Sequence, residues 1–197
     1  MCPAKERSAV SAPVASAPVR RLEQGPVMPI GGAGDHGLDG GDDILLRFLK
    51  LAGGKRARIA VIPTASEDPG EIGHGYVRLF EQLGASEAVW LQIEGRAEAN
   101  AGPALDQLER ASGIFISGGD QARLVAYLAG TAVMESIRLR NARGVVVAGT
   151  SAGASIVGSH MVVGGTGLNG DSNDATARKG LIEMVAGFSL LQDVIID

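Results

Sequence analysis

The chain of 197 residues contains one cysteine, three histidines, no excess of positive charge and no long apolar run. Each shortage removes a class of function. The lone thiol, Cys2, cannot form an internal disulfide, so secretion is not implied. Lys and Arg number 18 against 22 Asp and Glu, a formal charge of −4, and the isoelectric point is near 5.4. Nucleic-acid binding needs a basic face, which this balance does not provide. A mildly acidic surface instead suits a cationic or arginine-bearing ligand. No apolar run approaches the length of a membrane span. The opening stretch has no apolar h-region, and Arg20-Arg21 is followed by Leu22-Glu23-Gln24-Gly25 rather than an apolar segment, so a cytoplasmic protein is expected. His36, His74 and His160 are too scattered to show ligand spacing, and neither a metal nor another cofactor is called for.

What the chain does have is glycine, 29 residues of it, gathered at the ends of apolar runs. That placement points to tight strand-to-helix turns. Residues 1–25 are rich in Ala, Pro, Ser and Val and cannot bury enough apolar area to offset ordering, so a disordered leader is expected there. Residues 26–197 read as a single α/β domain. Strands are expected at "PVMPIGG", "ARIAVIP", "EAVWLQI", "GIFISGG" and "GVVVAG". Helices are expected over 42–51, 71–83, 101–111, 121–128 and 132–141. Near-continuous apolar strands alternating with amphipathic helices predict a three-layer fold, a mostly parallel sheet covered on both faces. Beyond residue 156, "SHMVVGG" reads as a strand, "GLNGDSNDATARKG" as a polar loop, "LIEMVAGFSLL" as a short helix and "VIID" as the start of a strand.

The fifth strand breaks on Gly149-Thr150-Ser151-Ala152-Gly153. Ligands of parallel α/β sheets sit beyond the carboxyl ends of the strands, so this turn lies on the functional rim. On its residues alone it reads two ways. Gly-x-Ser-x-Gly between strand and helix makes a nucleophile elbow, with the Ser151 hydroxyl lifted clear and the Ala152 N–H near developing negative charge. Alternatively Ser151 caps the helix and the glycines allow close packing. A second rim loop, "ISGGDQ" over 116–121, brings the Gly118 and Gly119 amides with Asp120 and Gln121, or else is a tight turn with an Asp120 cap. "GGAGDHG" over 31–37 is a third glycine turn, and its glycines do not fit the dinucleotide fingerprint.

Taken together, "PIGGAGD", "RIAVIPTAS", "IFISGGDQ", "GTSAGAS" and "GFSLLQDVIID" resemble the cyanophycinase family, which also holds the Asp-specific dipeptidase, peptidase E. The resemblance runs from about Val27 to Asp197. It implies a fold like the class-I glutamine amidotransferases, with serine in place of their cysteine. It also implies a serine exopeptidase that cuts cyanophycin, a poly-aspartate bearing arginine on each side-chain carboxyl, into β-Asp-Arg dipeptides. By the family's pattern Ser151 is the nucleophile, the N–H groups of Gly119 and Ala152 form the oxyanion hole, Gln121 contacts substrate, and Asp197 lines an arginine pocket. A homodimer is implied as well.

A serine hydroxyl needs a positioned base. In the family the base is a histidine two residues beyond the "VIID" aspartate, oriented by a later glutamate. This chain stops at Asp197, so it is expected to lack that segment and to be weakly active or inactive. His160, nine residues after Ser151, would lie about 10 Å or more away if the intervening chain were helical. His36 and His74 read as solvated loop residues near the rim. The competing expectations are an Asp-X dipeptidase and a non-catalytic binding protein that keeps the fold.

Overall fold

The computed structural model describes residues 24–31, 41–165 and 182–196. The expected leader up to residue 23, the "GGAGDHG" loop after Gly31 with His36, the polar loop, and Asp197 lie outside the described residues. In chain order the elements are β1 (Val27–Ile30), α1 (Gly41–Leu51), β2 (Arg58–Ile62), α2 (Pro69–Gln82), β3 (Glu87–Trp90), α3 (Gly102–Arg110), β4 (Gly113–Ile116), α4 (Gln121–Leu128), α5 (Ala132–Ala142), β5 (Val146–Thr150), α6 (Ala152–Ser155), β6 (His160–Gly165) and β7 (Ile182–Ala186).

The first five strands form one parallel sheet in the order β1-β5-β4-β2-β3. Side chains alternate across it. Ile59, Val61, Phe115, Val146 and Ala148 face α1 and α2, where Phe48, Tyr76 and Phe80 are buried. Ala60, Ile62, Ile114, Ile116 and Val147 face α3, α4 and α5, where Leu108, Leu124, Leu128 and Ile137 are buried. The reversal in strand order explains which helix covers which face. Crossovers keep one hand, so a connection travelling toward the β3 edge lays its helix on one side and one travelling back lays it on the other. The connections β1→β2 and β2→β3 run outward, and β3→β4 and β4→β5 run back.

Local signals set the helix boundaries. Asp68 accepts from the Glu71 N–H at 2.8 Å at the start of α2, with Pro69 at the first helical position. Thr131 accepts from the Met134 N–H at the start of α5. Phe115 centres an aromatic cluster, with ring centroids 4.6 Å from Tyr76, 5.2 Å from Phe80 and 5.9 Å from Phe48. Buried Asn141 anchors the chain entering β1. Its Nδ2 donates to the carbonyls of Gly25 and Val145, each at 2.9 Å, and its Oδ1 accepts from Gln24 at 2.9 Å.

Three expectations beyond β5 are corrected. The segment read as a short helix contains strand β7, paired antiparallel with β6 through a bulge between Val162 and Gly164. A ladder partner outweighs the helical spacing of a short apolar run. The "VIID" segment, read as a strand start, makes a single bridge between Ile195 and His160 instead of joining the sheet. The helix assumed between Ser151 and His160 is also short, ending at Ser155.

Phe115 is fully buried, so Phe115→Ala should cost about 3–5 kcal/mol of stability. Urea unfolding of the 197-residue chain should show the drop, and a loss below about 1 kcal/mol would contradict this packing.

Candidate active site

The carboxyl ends of β2, β4 and β5 bring three loops to one rim. Ser151 follows β5, and its N–H donates to the Ile30 carbonyl at 3.1 Å, extending the β1–β5 ladder by one bond. The chain then reverses into α6. Ser151 takes φ 50° and ψ −118°, a strained conformation for a residue with a side chain, which costs on the order of 1–3 kcal/mol and persists only where neighbours enforce it. The enforcing contacts are visible. A β-carbon on Gly149 would fall 2.0 Å from the Gly153 carbonyl oxygen, and one on Gly153 would fall 2.2 Å from the Ile116 carbonyl oxygen. Both glycines therefore let α6 press against the ends of β4 and β5. Close packing of the glycines, one half of the plainer reading, is thus correct. The other half is not, because the Ser151 side chain makes no capping hydrogen bond.

The Gly118-Gly119 turn lies directly against this serine. A β-carbon on Gly118 would sit 2.9 Å from Ser151 Cβ and 3.5 Å from its Oγ. Gly119 has φ 137°, and a β-carbon there would strike the Ala65 carbonyl oxygen at 2.1 Å. The loop after β2 locks this turn in place. Asp120 N–H donates to Ala65 O at 2.7 Å, Asp120 Oδ1 accepts from Arg123 N–H at 3.1 Å, and the Arg123 guanidinium donates to Ser66 O. Asp120 therefore does cap α4, as its plainer reading held. Among the described residues the N–H groups of Gly119 and Ala152 have no backbone acceptor. Thr150, fully buried beside Ser151, carries a hydroxyl without a hydrogen-bond partner among the described residues.

Two clefts open at Ser151. The larger, about 430 Å³, is lined by Ser117, Gly118 and Gly119 on one side and by Glu71, Tyr76 and Arg78 of α2 on the other. The second, about 270 Å³, is lined by Gln121, Ser155 and Ile196. Gln121 donates to Ser155 Oγ at 3.3 Å. Of the expected site residues, Ser151, Gly119, Ala152 and Gln121 come together, and Asp197 lies outside the described residues. Neither described histidine lines these clefts. His74 is exposed on α2, edge-on to Trp90 with ring centroids 5.4 Å apart. His160 is exposed at the start of β6, its Nδ1 3.2 Å from Ser159 Oγ. The buried face of α2 dominates its sequence pattern; Glu71, Ile72, Gly75, Arg78 and Leu79 also repeat at three and four residues, but nothing in that repeat places them on the cleft. Among the described residues no cluster of three His, Cys, Asp or Glu could hold a metal ion, and no helix is long and apolar enough to cross a membrane.

Solved structures share this architecture. A peptidase from an acI-B1 Actinobacterium superposes with a TM-score of 0.60 at 21% identity, over 86% of this chain and 66% of its own. A putative peptidase E protein from Listeria monocytogenes gives 0.53 at 23% identity, over 70% of this chain and 64% of its own. At these identities the likeness establishes the fold, a three-layer α/β arrangement like the glutamine amidotransferases. The model of peptidase family S51 matches residues 28–197, and the chain belongs to that family. It is 41% identical to a cyanophycinase from Trichormus variabilis over 174 residues, 87% of this chain and 55% of that protein. A cyanophycinase from Geminocystis herdmanii is 40% identical over 87% of this chain and 60% of its own length. The chain thus spans somewhat more than half the length of the curated relatives it matches.

The elbow geometry depends on clearance at two glycines. Gly153→Ala should destabilise the chain by about 2 kcal/mol or more by forcing a methyl group into backbone. Gly102, where a β-carbon meets nothing within 4 Å, serves as the control; Gly102→Ala should be neutral or gain up to about 1 kcal/mol. Parallel denaturation curves measure both, and equal effects would refute the contact.

Proposed function

We propose that this protein is a serine-type exopeptidase of the cyanophycinase kind, with Ser151 as nucleophile. The observation that carries the reading is the strained Ser151 turn facing the Gly118-Gly119 backbone at the mouth of two clefts, in a chain about two-fifths identical to cyanophycinases. The Ser151 hydroxyl adds to a backbone amide carbonyl of cyanophycin, the C–N bond breaks as the hydroxyl proton passes to the departing amine, and water then hydrolyses the acyl-serine. The oxyanion is received by the N–H groups of Gly119 and Ala152, which among the described residues have no backbone acceptor. Gln121, on the edge of the second cleft, contacts the substrate, and Asp197 pairs with an arginyl guanidinium through its planar fork. The product is β-Asp-Arg. The protein acts in the cytoplasm as a homodimer.

General-base assistance is the step the described residues do not supply. His74 and His160 both stand away from the clefts at Ser151. With the described residues alone supplying groups to the site, slow turnover of cyanophycin or none is the expected outcome. The chain's affinity for the polymer is retained, since binding uses the clefts and not the base.

The test incubates the chain and its Ser151→Ala variant with cyanophycin and, separately, with Asp-X dipeptides, following products by mass spectrometry. The expected outcome is slow release of β-Asp-Arg that Ser151→Ala removes, with no cleavage of Asp-X. Faster cleavage of Asp-X would move the assignment to a dipeptidase. Release untouched by Ser151→Ala would end the nucleophile assignment. Polymer binding without any Ser151-dependent turnover, even in chains extended to the length of the relatives, would favour a non-catalytic binding protein. Turnover at about 1 s⁻¹ or more by the 197-residue chain would show that a base is present, with His36→Ala and His74→Ala the variants to identify it.

A further inference from the structure

We infer that the α2 wall of the larger cleft is a second arginyl subsite, in which Glu71 takes the guanidinium and Arg78 takes the free α-carboxylate of an arginine one unit or more away from the cut bond. The inference rests on the cyanophycin reading and adds residues to it. Glu71 and Arg78 both line the cleft that reaches Ser151. Seven residues apart, they occupy one helix face two turns from each other, separated by about 10.5 Å along the axis. That spacing is too long for them to pair with each other. Neither side chain has an ion pair or hydrogen bond among the described residues. The Glu71 backbone N–H, not its carboxylate, bonds Asp68 Oδ1.

Among the described residues, two opposite charges thus stand without an ionic partner at the two ends of one wall. The surface between them has a definite chemistry. Gly75 lies midway, and a β-carbon there would meet nothing within 4 Å, so the middle of the wall is open. Ile72, Tyr76 and Leu79 supply the apolar surface around it. The complementary ligand is a zwitterion with an aliphatic middle, its cation toward the start of α2 and its anion two turns further on.

An arginine attached through its α-amino group to an aspartyl side chain has that form. Its guanidinium and free carboxylate stand about 7 Å apart when extended, joined by three methylene groups. Side chains reaching inward from positions about 10.5 Å apart on the helix can contact both ends. The Glu71 carboxylate can accept two N–H bonds from the planar guanidinium, and Arg78 can offer the same fork to the carboxylate. A lysine or a neutral side chain would satisfy one end less well, and an arginine amide would leave Arg78 unmatched. Contacts at this distance from the reacting bond select the polymer over a single dipeptide.

The test uses the 197-residue chain with Ser151→Ala, which prevents turnover, and three synthetic ligands measured by calorimetry. One is a trimer of β-Asp-Arg units. A second replaces arginine with citrulline, which has no positive charge. A third replaces it with agmatine, which has no carboxylate. Glu71→Gln should weaken trimer binding about fivefold and leave the citrulline ligand unaffected. Arg78→Gln should weaken trimer binding by a similar factor and leave the agmatine ligand unaffected. Both side chains are exposed, and circular dichroism should find both variants folded. If the trimer binds and neither substitution changes its affinity, or if all three ligands lose equally, the subsite is wrong while the cyanophycin reading stands. If the trimer fails to bind the Ser151→Ala chain at all, that reading falls and the subsite falls with it.

Discussion

A β-carbon on Gly153 would collide with the Ile116 carbonyl, and one on Gly149 would collide with Gly153 itself. The ends of β4 and β5 and the first turn of α6 are therefore packed backbone to backbone, without side chains between them. Everything at the rim depends on that contact. It shortens the turn until the residue between strand and helix must adopt positive φ. It also brings Ser151 against Gly118, whose own missing side chain leaves room for the serine. The strain at Ser151 is thus a consequence of packing and not a free choice of the turn. The buried strands on either side hold it in place, since all the residues of β4 and β5 are buried.

The sheet topology decides which loops meet that serine. Strand order reverses at the β2–β4 boundary, so the connection leaving β2 goes to one face and the connection leaving β4 goes to the other. The two chains diverge at the carboxyl edge and leave a crevice between them, the usual place for a ligand in such a sheet. Ala65 and Ser66 enter it from β2, and Gly118 and Gly119 from β4. Ser151 arrives from β5, next in the order. The bonds from Asp120 and Arg123 to the Ala65-Ser66 carbonyls tie the first two loops into one unit.

Most of the parallel sheet was legible in the sequence because buried strands and their helices have different periods. "GIFI" and "RIAVI" are continuous apolar runs that end at glycine or proline, and α4 was bounded by Asp120 and a following Ala-Gly. The Ser151 turn was legible from spacing, with small residues two positions either side. Two features were not. The segment around Ile182–Ala186 has apolar residues consistent with either period, and only its pairing with β6 decides for a strand. The Glu71–Arg78 face was hidden by a different cause. It becomes meaningful only when α2 is placed opposite the Gly118-Gly119 turn, a relation between residues more than forty positions apart.

Among the described residues, strand β1 is an edge of the sheet, paired by β5. Its far end receives the Ser151 N–H, and its near end is fastened through Gln24 and Gly25 to Asn141. The elbow is consequently suspended from an edge strand. Fraying of that strand would release the Ile30 carbonyl and remove the one bond that ties the serine N–H to β1, leaving the serine backbone bonded to α6 alone. Asn141, remote from any reacting atom, then acts as the fastening of the strand that receives that bond.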